Sequence, residues 1–491
     1  MKGGGFRRWY GNQEYVVNWG NDGAEIRNLG IETGRVASRP QNTDFYFRRG
    51  ITWSDLTSGH FSARLSPGGF IFDVKGSSAF PDDVLKVMGL LNSSFAHYAL
   101  NFLNPTVSFQ VGDLSRLPVP HDTTEELRRL VDRAIGLSRS DSEESELTYD
   151  FVQPPAWRTG IQLRQQRHSE LQHAECELDE QVMASYGLTG DAREAIESEL
   201  RDVQKVSSPD DDDDAQVDED RDEADENADM SCDQLAARWI GYALGIVTGR
   251  FRPGVEGGLG RGDFAADVAK QLCGMADADG ILVQDEGHPD DLAARTLAAL
   301  RIMLGDEAAR EVVLTAADRT GETEPVLRKY LEGPFFKEHI KLYRKRPVYW
   351  LLQSPKKKYG VWIFHEQLTS DSLYRIQREY VDLKMKLLEG QLGEFRKKQD
   401  AAEGRERRQA EKEMAPIEDV LADVREFAAR INEVIQRGYR PHIDDGVLLN
   451  MAPLWGLIPS WQAEPKKAWK APSNRATMTG RSTPWTTGPT G

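Results

Sequence analysis

A chain of 491 residues is long enough for two to four domains with buried cores. No apolar run approaches ~18 residues, the opening MKGGGFRRWYGNQEY has no apolar signal stretch, and three scattered cysteines form no disulfide framework, so the sequence reads as a soluble, cytoplasmic chain. The net charge of −17 disfavours a nucleic-acid binder only until it is mapped: Pro209–Asp229 carries thirteen acids against one Arg, whereas Arg328–Lys358 holds ten Lys or Arg against Glu332 and Glu338.

In chain order, residues 1–120 read as a mixed α/β (α+β) domain. Tyr15–Trp19, Thr43–Phe47 and Gly69–Asp73 are short, aromatic or β-branched, and bounded by Gly, Pro or Asn, which predicts strands. Asp82–Leu103 has apolar residues at helical spacing, with a break at Asn92-Ser93-Ser94 and a stop at Asn104-Pro105. Val107–Val111 predicts another strand. Residues 121–205 read as a helical extension. Thr124 with Glu125 and Glu126 offers a capped start, and Leu127, Leu130, Val131, Ala134, Ile135 and Leu137 line one face. Further helices are expected around Ile161–Tyr186 and Asp191–Val203.

Residues 206–230 form an acidic linker too polar to offset its ordering entropy, and are expected to be disordered. Residues 231–370 predict a mainly α-helical domain with a small basic β-hairpin. Its helices are Asp233–Val247, Phe264–Met275, Asp290–Leu304 and Asp306–Ala317; its strands, Val348–Leu352 and Gly360–His365, flank the Lys-rich turn Ser354–Tyr359. Residues 371–440 predict a long charged helical arm or antiparallel hairpin, weakened near Gly390, Gly393 and Gly404, and residues 441–491 a tail.

The residue types that read DNA are Arg, Lys, Asn and Gln on base edges, with Ser, Thr and cations on phosphates. Arg48-Arg49-Gly50-Ile51-Thr52-Trp53-Ser54 packs cations, hydroxyls and an indole behind one predicted strand, and Lys75-Gly76-Ser77-Ser78 follows the next. If those strands are neighbours, the two loops share an edge. The candidate DNA contacts are therefore Arg48, Arg49, Thr52, Trp53, Ser54, Lys75 and Ser77. Lys337, Lys341, Arg344, Lys345, Arg346, Lys356, Lys357 and Lys358 would hold DNA backbone or a partner. The plain alternative is a solvated charged face.

Several motifs in order carry a family resemblance. Phe6-Arg7-Arg8-Trp9-Tyr10-Gly11-Asn12, Gly50-Ile51-Thr52-Trp53-Ser54, Phe70–Gly76, Leu90-Leu91-Asn92-Ser93, Asn104-Pro105-Thr106 and Val111-Gly112-Asp113 resemble the recognition half of PglX-type adenine-specific DNA methyltransferases of BREX phage-exclusion systems, including a segment shared with TaqI-like specificity domains. Phe335–His339, Lys345–Leu351, Ser354–Lys357 and Asp444–Val447 are similar to that family's C-terminal domain. The resemblance implies a phage-defence enzyme that methylates adenine N6 with S-adenosylmethionine. Its partners would be double-stranded DNA and either other BREX proteins or a separate methyltransferase catalytic chain.

The departures limit what carries over. The base-holding loop of such enzymes is acid-or-amide–Pro–Pro–aromatic; Gln153-Pro154-Pro155-Ala156 and Asn104-Pro105-Thr106-Val107 both miss it. Gly258-Leu259-Gly260-Arg261-Gly262 is a weak candidate for the donor-binding turn because no convincing strand precedes it. His168 and His173 are poorly spaced for a shared metal, and Asp444-Asp445 reads as a turn. The expectation is a truncated chain, beginning where the family's catalytic domain ends, frameshifted after residue 470, and binding no cofactor itself. A scaffold that docks other defence proteins and a specificity subunit for a separate catalytic chain are the alternatives.

Overall fold

The computed structural model describes residues 1, 3–30, 38–55, 61–104, 106, 108–121, 124–188, 190–206, 230–401, 404–442 and 445–470. The acidic run, Asp444 and the segment after Lys470 lie outside the described residues. Two compact units, Met1–Ser231 and Cys232–Gly491, divide the chain.

The first unit opens with an irregular segment that threads Trp9 beside a sheet, followed by α1 (Gly20–Asn28), whose first turn holds Asn21, Asp22 and Gly23 in left-handed conformations. Three antiparallel strands, β1 (Gly50–Trp53), β2 (Ala63–Ser66) and β3 (Ser78–Ala79), lie in the order β2-β1-β3. Ile51 faces Leu65 on one side and Ala79 on the other. The expected strands at Tyr15–Trp19, Thr43–Phe47 and Gly69–Asp73 are not strands. Val16 is 92% exposed, Thr43–Phe45 forms a single tight turn, and the Phe70 carbonyl accepts from Phe47 N at 2.8 Å without a ladder following. Aromatic content signalled β structure there, but among the described residues no partner strand supplies a ladder.

Helices then follow the apolar spacing. α2 (Val84–Leu91) is capped by Asp83, and α3 (Ser94–Leu103) by Ser93, whose Oγ accepts from the Ala96 N–H at 3.2 Å. Between them Asn92 exchanges hydrogen bonds of 2.8 and 2.9 Å with the Ala63 backbone, tying the helix break to β2. Asn104 donates to Asp113 Oδ2 at 2.8 Å and closes the turn before α4 (Val111–Leu114). The predicted strand ending at Val111 is thus replaced by a helix start. α5 (Glu125–Glu143), capped by Thr124, α6 (Gly160–Ser185) and α7 (Asp191–Val206) complete the unit. Leu127, Leu130, Val131, Ala134 and Ile135 join Trp9, Trp53, Met88 and Leu178 in one core.

The second unit is built around α8 (Cys232–Val247), buried on every side from Trp239 to Val247. α9 (Ala266–Cys273), α10 (Leu292–Leu304), α11 (Asp306–Ala317), α12 (Thr323–Glu332) and α13 (Pro334–Leu342) follow. A fully buried antiparallel sheet has the order β4-β6-β5, from β4 (Ile281–Val283), β5 (Tyr349–Gln353) and β6 (Gly360–Phe364). Three-residue β4 is too short for a sequence signal. After α14 (Ser372–Arg375) and a π-helical turn at Ile376–Val381 come α15 (Asp382–Ala401) and α16 (Gly404–Gln436). These two helices are antiparallel, as the pairs Glu389–Arg425 at 2.7 Å and Arg396–Glu418 at 3.4 Å require. Gly390 and Gly393 lie inside α15 without breaking it. α17 (Val447–Met451) and α18 (Ala463–Lys470) end the described chain.

Candidate nucleic-acid interface

β1 decides the first cluster. Gly50–Trp53 is itself the central strand, so Arg48 and Arg49 precede a strand instead of leaving one. Both are exposed. The Arg48 guanidinium lies 5.2 Å from the Phe45 ring centroid and 5.7 Å from that of Phe80, a cation–π arrangement that fixes its position without neutralising it.

Thr52 and Trp53 must be withdrawn as DNA contacts. Thr52 is fully buried and donates to the Ser77 carbonyl at 3.1 Å; Trp53 is 1% exposed and donates to the Phe109 carbonyl at 2.9 Å. Moving the indole out to a duplex would forfeit burial worth about 3 kcal/mol. Ser54 is also buried: its Oγ donates to the Gly4 carbonyl at 2.9 Å and accepts from Arg64 at 3.2 Å.

Lys75 is exposed in a turn that Asp73 closes by accepting from the Lys75 and Gly76 N–H groups at 2.9 and 2.8 Å. Ser77 is half-buried, with its carbonyl on Trp53 N at 3.0 Å. The shared edge expected for the two loops does not form. The Lys75 carbonyl meets Asp55 N at 3.1 Å, beyond the far end of β1, so about 20 Å of extended chain separates it from Arg49.

Arg64 escaped the sequence reading. It lies fully buried on β2, and its Nε and Nη1 have no partner among the described residues. Burial, helped by the nearby Arg7 charge and opposed by Glu14, pulls it down to about 10.

The basic segment of the second unit divides into two groups at opposite ends of β5, about 17 Å apart. Lys337 and Lys341 project from α13, with Lys345 and Arg346 also exposed and Arg344 half-buried just beyond it. Arg344 and Lys345 take left-handed φ values of 46° and 63°, and Lys345 lies 3.9 Å from Glu464. His339 anchors this group: its Nε2 accepts from Val348 N at 3.0 Å and Tyr349 N at 3.1 Å. Burial, and then the Arg250 charge, holds His339 well below the ordinary histidine range, so the ring stays neutral and can accept.

The turn Ser354–Tyr359 is less basic than its sequence suggests. Lys356 pairs with Asp419 at 2.9 Å, and Lys358 pairs with the same carboxylate. Asp423, 1% exposed on α16, accepts from Ser354 Oγ and from the N–H groups of Lys356 at 2.8 Å and Lys358 at 3.2 Å. Lys357 remains exposed, in a left-handed conformation at φ 60°.

The Gly-rich loop is a packed turn. Gly254, Gly257, Gly260 and Gly262 all have positive φ, and a Cβ at Gly262 would lie 2.1 Å from the Phe264 ring. The regular element before the loop is α8, whereas a donor-binding turn follows a strand. His168 and His173 are exposed on α6. Among the described residues no helix is long and apolar enough to cross a membrane.

No protein-family model matches the chain. It is 30% identical over 482 residues to the adenine-specific methyltransferase PglX of Lacticaseibacillus casei (strain Zhang), an alignment covering 92% of this chain and 38% of that protein. It is 25% identical over 492 residues to the adenine-specific methyltransferase BrxX of Escherichia coli O9:H4 (strain HS), covering 93% of this chain and 39% of the relative. The chain therefore spans about two fifths of the length of the curated relatives it matches.

Proposed function

Taking as premise that this chain is a relative of the PglX and BrxX adenine-specific methyltransferases, we propose that it is the DNA target-recognition portion of a site-specific adenine-N6 methyltransferase of a phage-defence system. In this reading it acts in the cytoplasm and grips double-stranded DNA. Methyl transfer from S-adenosylmethionine requires the family's catalytic domain, and the chain alone transfers none. The observation that carries the proposal is the placement of Arg48, Arg49 and Lys75, exposed beyond the two ends of β1. Lys337, Lys341, Lys345 and Arg346 on and after α13 supply a second cationic face for phosphates.

Fluorescence anisotropy with labelled duplex tests this. Contacts to several phosphates make affinity fall steeply between about 50 and 200 mM salt. Binding that is absent, or indifferent to salt, refutes the proposal.

A scaffold role has one observation in its favour. Tyr374, Leu383 and Leu387 are 55%, 52% and 53% exposed around the start of the α15 arm, an apolar exposure suited to a protein partner. Co-purification of another defence protein with the chain, together with salt-insensitive DNA binding, would favour it. A specificity subunit for a separate catalytic chain predicts methylation only when that chain is added.

A further inference from the structure

The first unit carries a cavity that the duplex contacts above do not use. Its volume is about 730 Å³, inside the roughly 300–1,000 Å³ range of small-ligand sites. Trp19, Phe45, Tyr46, Phe72 and Phe80 form its walls. Phe45 and Phe80 stack with centroids 5.3 Å apart, while Tyr46 meets Trp19 and Phe72 edge-on at 5.0 and 5.1 Å. Phe45, stacked on Phe80 and under Arg48, is still 40% exposed.

The polar features are those of a nucleotide site. Asn42 and Ser78 among the lining residues offer an amide and a hydroxyl to the edge of a planar ring. Arg39 lines the same cavity, and Arg48 lies against the Phe45–Phe80 pair. Asp73 is the one acid among the lining residues, and its Oδ1 already accepts two backbone N–H groups. An apolar peptide would have no use for the cations. A flat heteroaromatic ring carrying a phosphate uses both features.

We propose that this cavity holds a single nucleobase lifted out of the stack of the bound DNA. The proposal rests on the DNA-binding reading of the first unit and adds to it a base-holding site beside the duplex contact Arg48. Arg39 on the cavity wall and Arg48 on the Phe45–Phe80 pair would hold the phosphate of the displaced nucleotide.

The test compares three labelled DNAs on the full chain by anisotropy: a paired duplex, the same duplex with one bulged nucleotide, and that bulge made abasic. The expected result is about tenfold tighter binding of the bulged duplex, the effect of one stacked base, and loss of that preference when the bulge is abasic. Phe45→Ala should abolish the preference and, by releasing Arg48, also weaken binding of the paired duplex, whereas Phe45→Tyr keeps the ring under Arg48 and should retain both. Phe45 is partly exposed on a one-turn helix, so the fold should survive. Equal binding of all three DNAs by the wild-type chain overturns the cavity assignment while leaving duplex binding standing. A preference that persists in both Phe45→Ala and Phe80→Ala overturns it as well, because the base is then held elsewhere. Failure to bind any of the three refutes the DNA reading itself, and the cavity assignment with it.

Discussion

Arg64→Met should stabilise the first unit, although it deletes a charged side chain that makes a hydrogen bond. The guanidinium is fully buried, donates once to Ser54 Oγ at 3.2 Å and leaves Nε and Nη1 without partners among the described residues. Holding it at about 10 instead of 12.5 means that the folded state disfavours the charged form by about 3 kcal/mol at neutral pH. Losing the Ser54 bond returns about 1 kcal/mol of destabilisation. Met keeps most of the aliphatic volume and needs no counter-charge, and buried ionic groups replaced by well-packed apolar ones are often more stable. The net expectation is a gain of about 1–2 kcal/mol. Urea unfolding of the full chain, followed by a probe in the first unit, measures it directly. A loss of more than about 1 kcal/mol would refute the reasoning, since an Arg that stabilises the fold from this position must have a partner.

The remaining predictions concern both units. Arg48→Ala with Arg49→Ala should lower duplex affinity about tenfold and flatten the logarithmic salt dependence by roughly 2; an unchanged slope in an anisotropy titration would remove these residues from the interface. His339→Leu leaves the Val348 and Tyr349 N–H groups unsatisfied, at about 1–3 kcal/mol each, whereas His339→Gln keeps an acceptor and should recover much of that loss in denaturant unfolding. His339 and His365 are both held neutral by burial, His365 at about 4. The unfolded chain therefore takes up their protons first, and stability of the second unit, full above pH ~6.5, should fall with pH towards about 4, by about 3 kcal/mol for His365 alone. Unfolding midpoints at several pH values check this, and a midpoint flat below pH ~6 would count against neutral rings. Asp423→Ala should cost about 3 kcal/mol or more by stranding the donors of the Lys-rich turn, as read from urea unfolding.

The helices were legible because each pays its way in local signals: the cap at Thr124, the apolar face from Leu127 to Ile135, and the break that Asn92 and Ser93 make between α2 and α3 all sit within a few residues. The β5–β6 hairpin was legible for the same reason. The first sheet was not. Aromatic runs such as Tyr15–Trp19 looked like strands, yet Val16 ended 92% exposed, while the true strand Gly50–Trp53 was read as a binding loop. Burial on β1 depends on β2 and β3, which pair with it across intervening chain, and nothing within seven residues reports that. The cations were misjudged for a related reason: Asp419, which pairs Lys356 and Lys358, is more than 60 residues away in sequence. The cavity went unnoticed because Trp19, Phe45, Phe72 and Phe80 have no common spacing.

Asp423 has a mechanical consequence. Because one carboxylate on α16 gathers the tip of the β5–β6 hairpin, and His339 grips the opposite end of β5, the helical arm, the sheet and α13 form a linkage with few free joints. The hairpin is thereby pinned at its tip by α16 and at its base by α13, so a tilt of the arm would carry the Lys-rich turn with it.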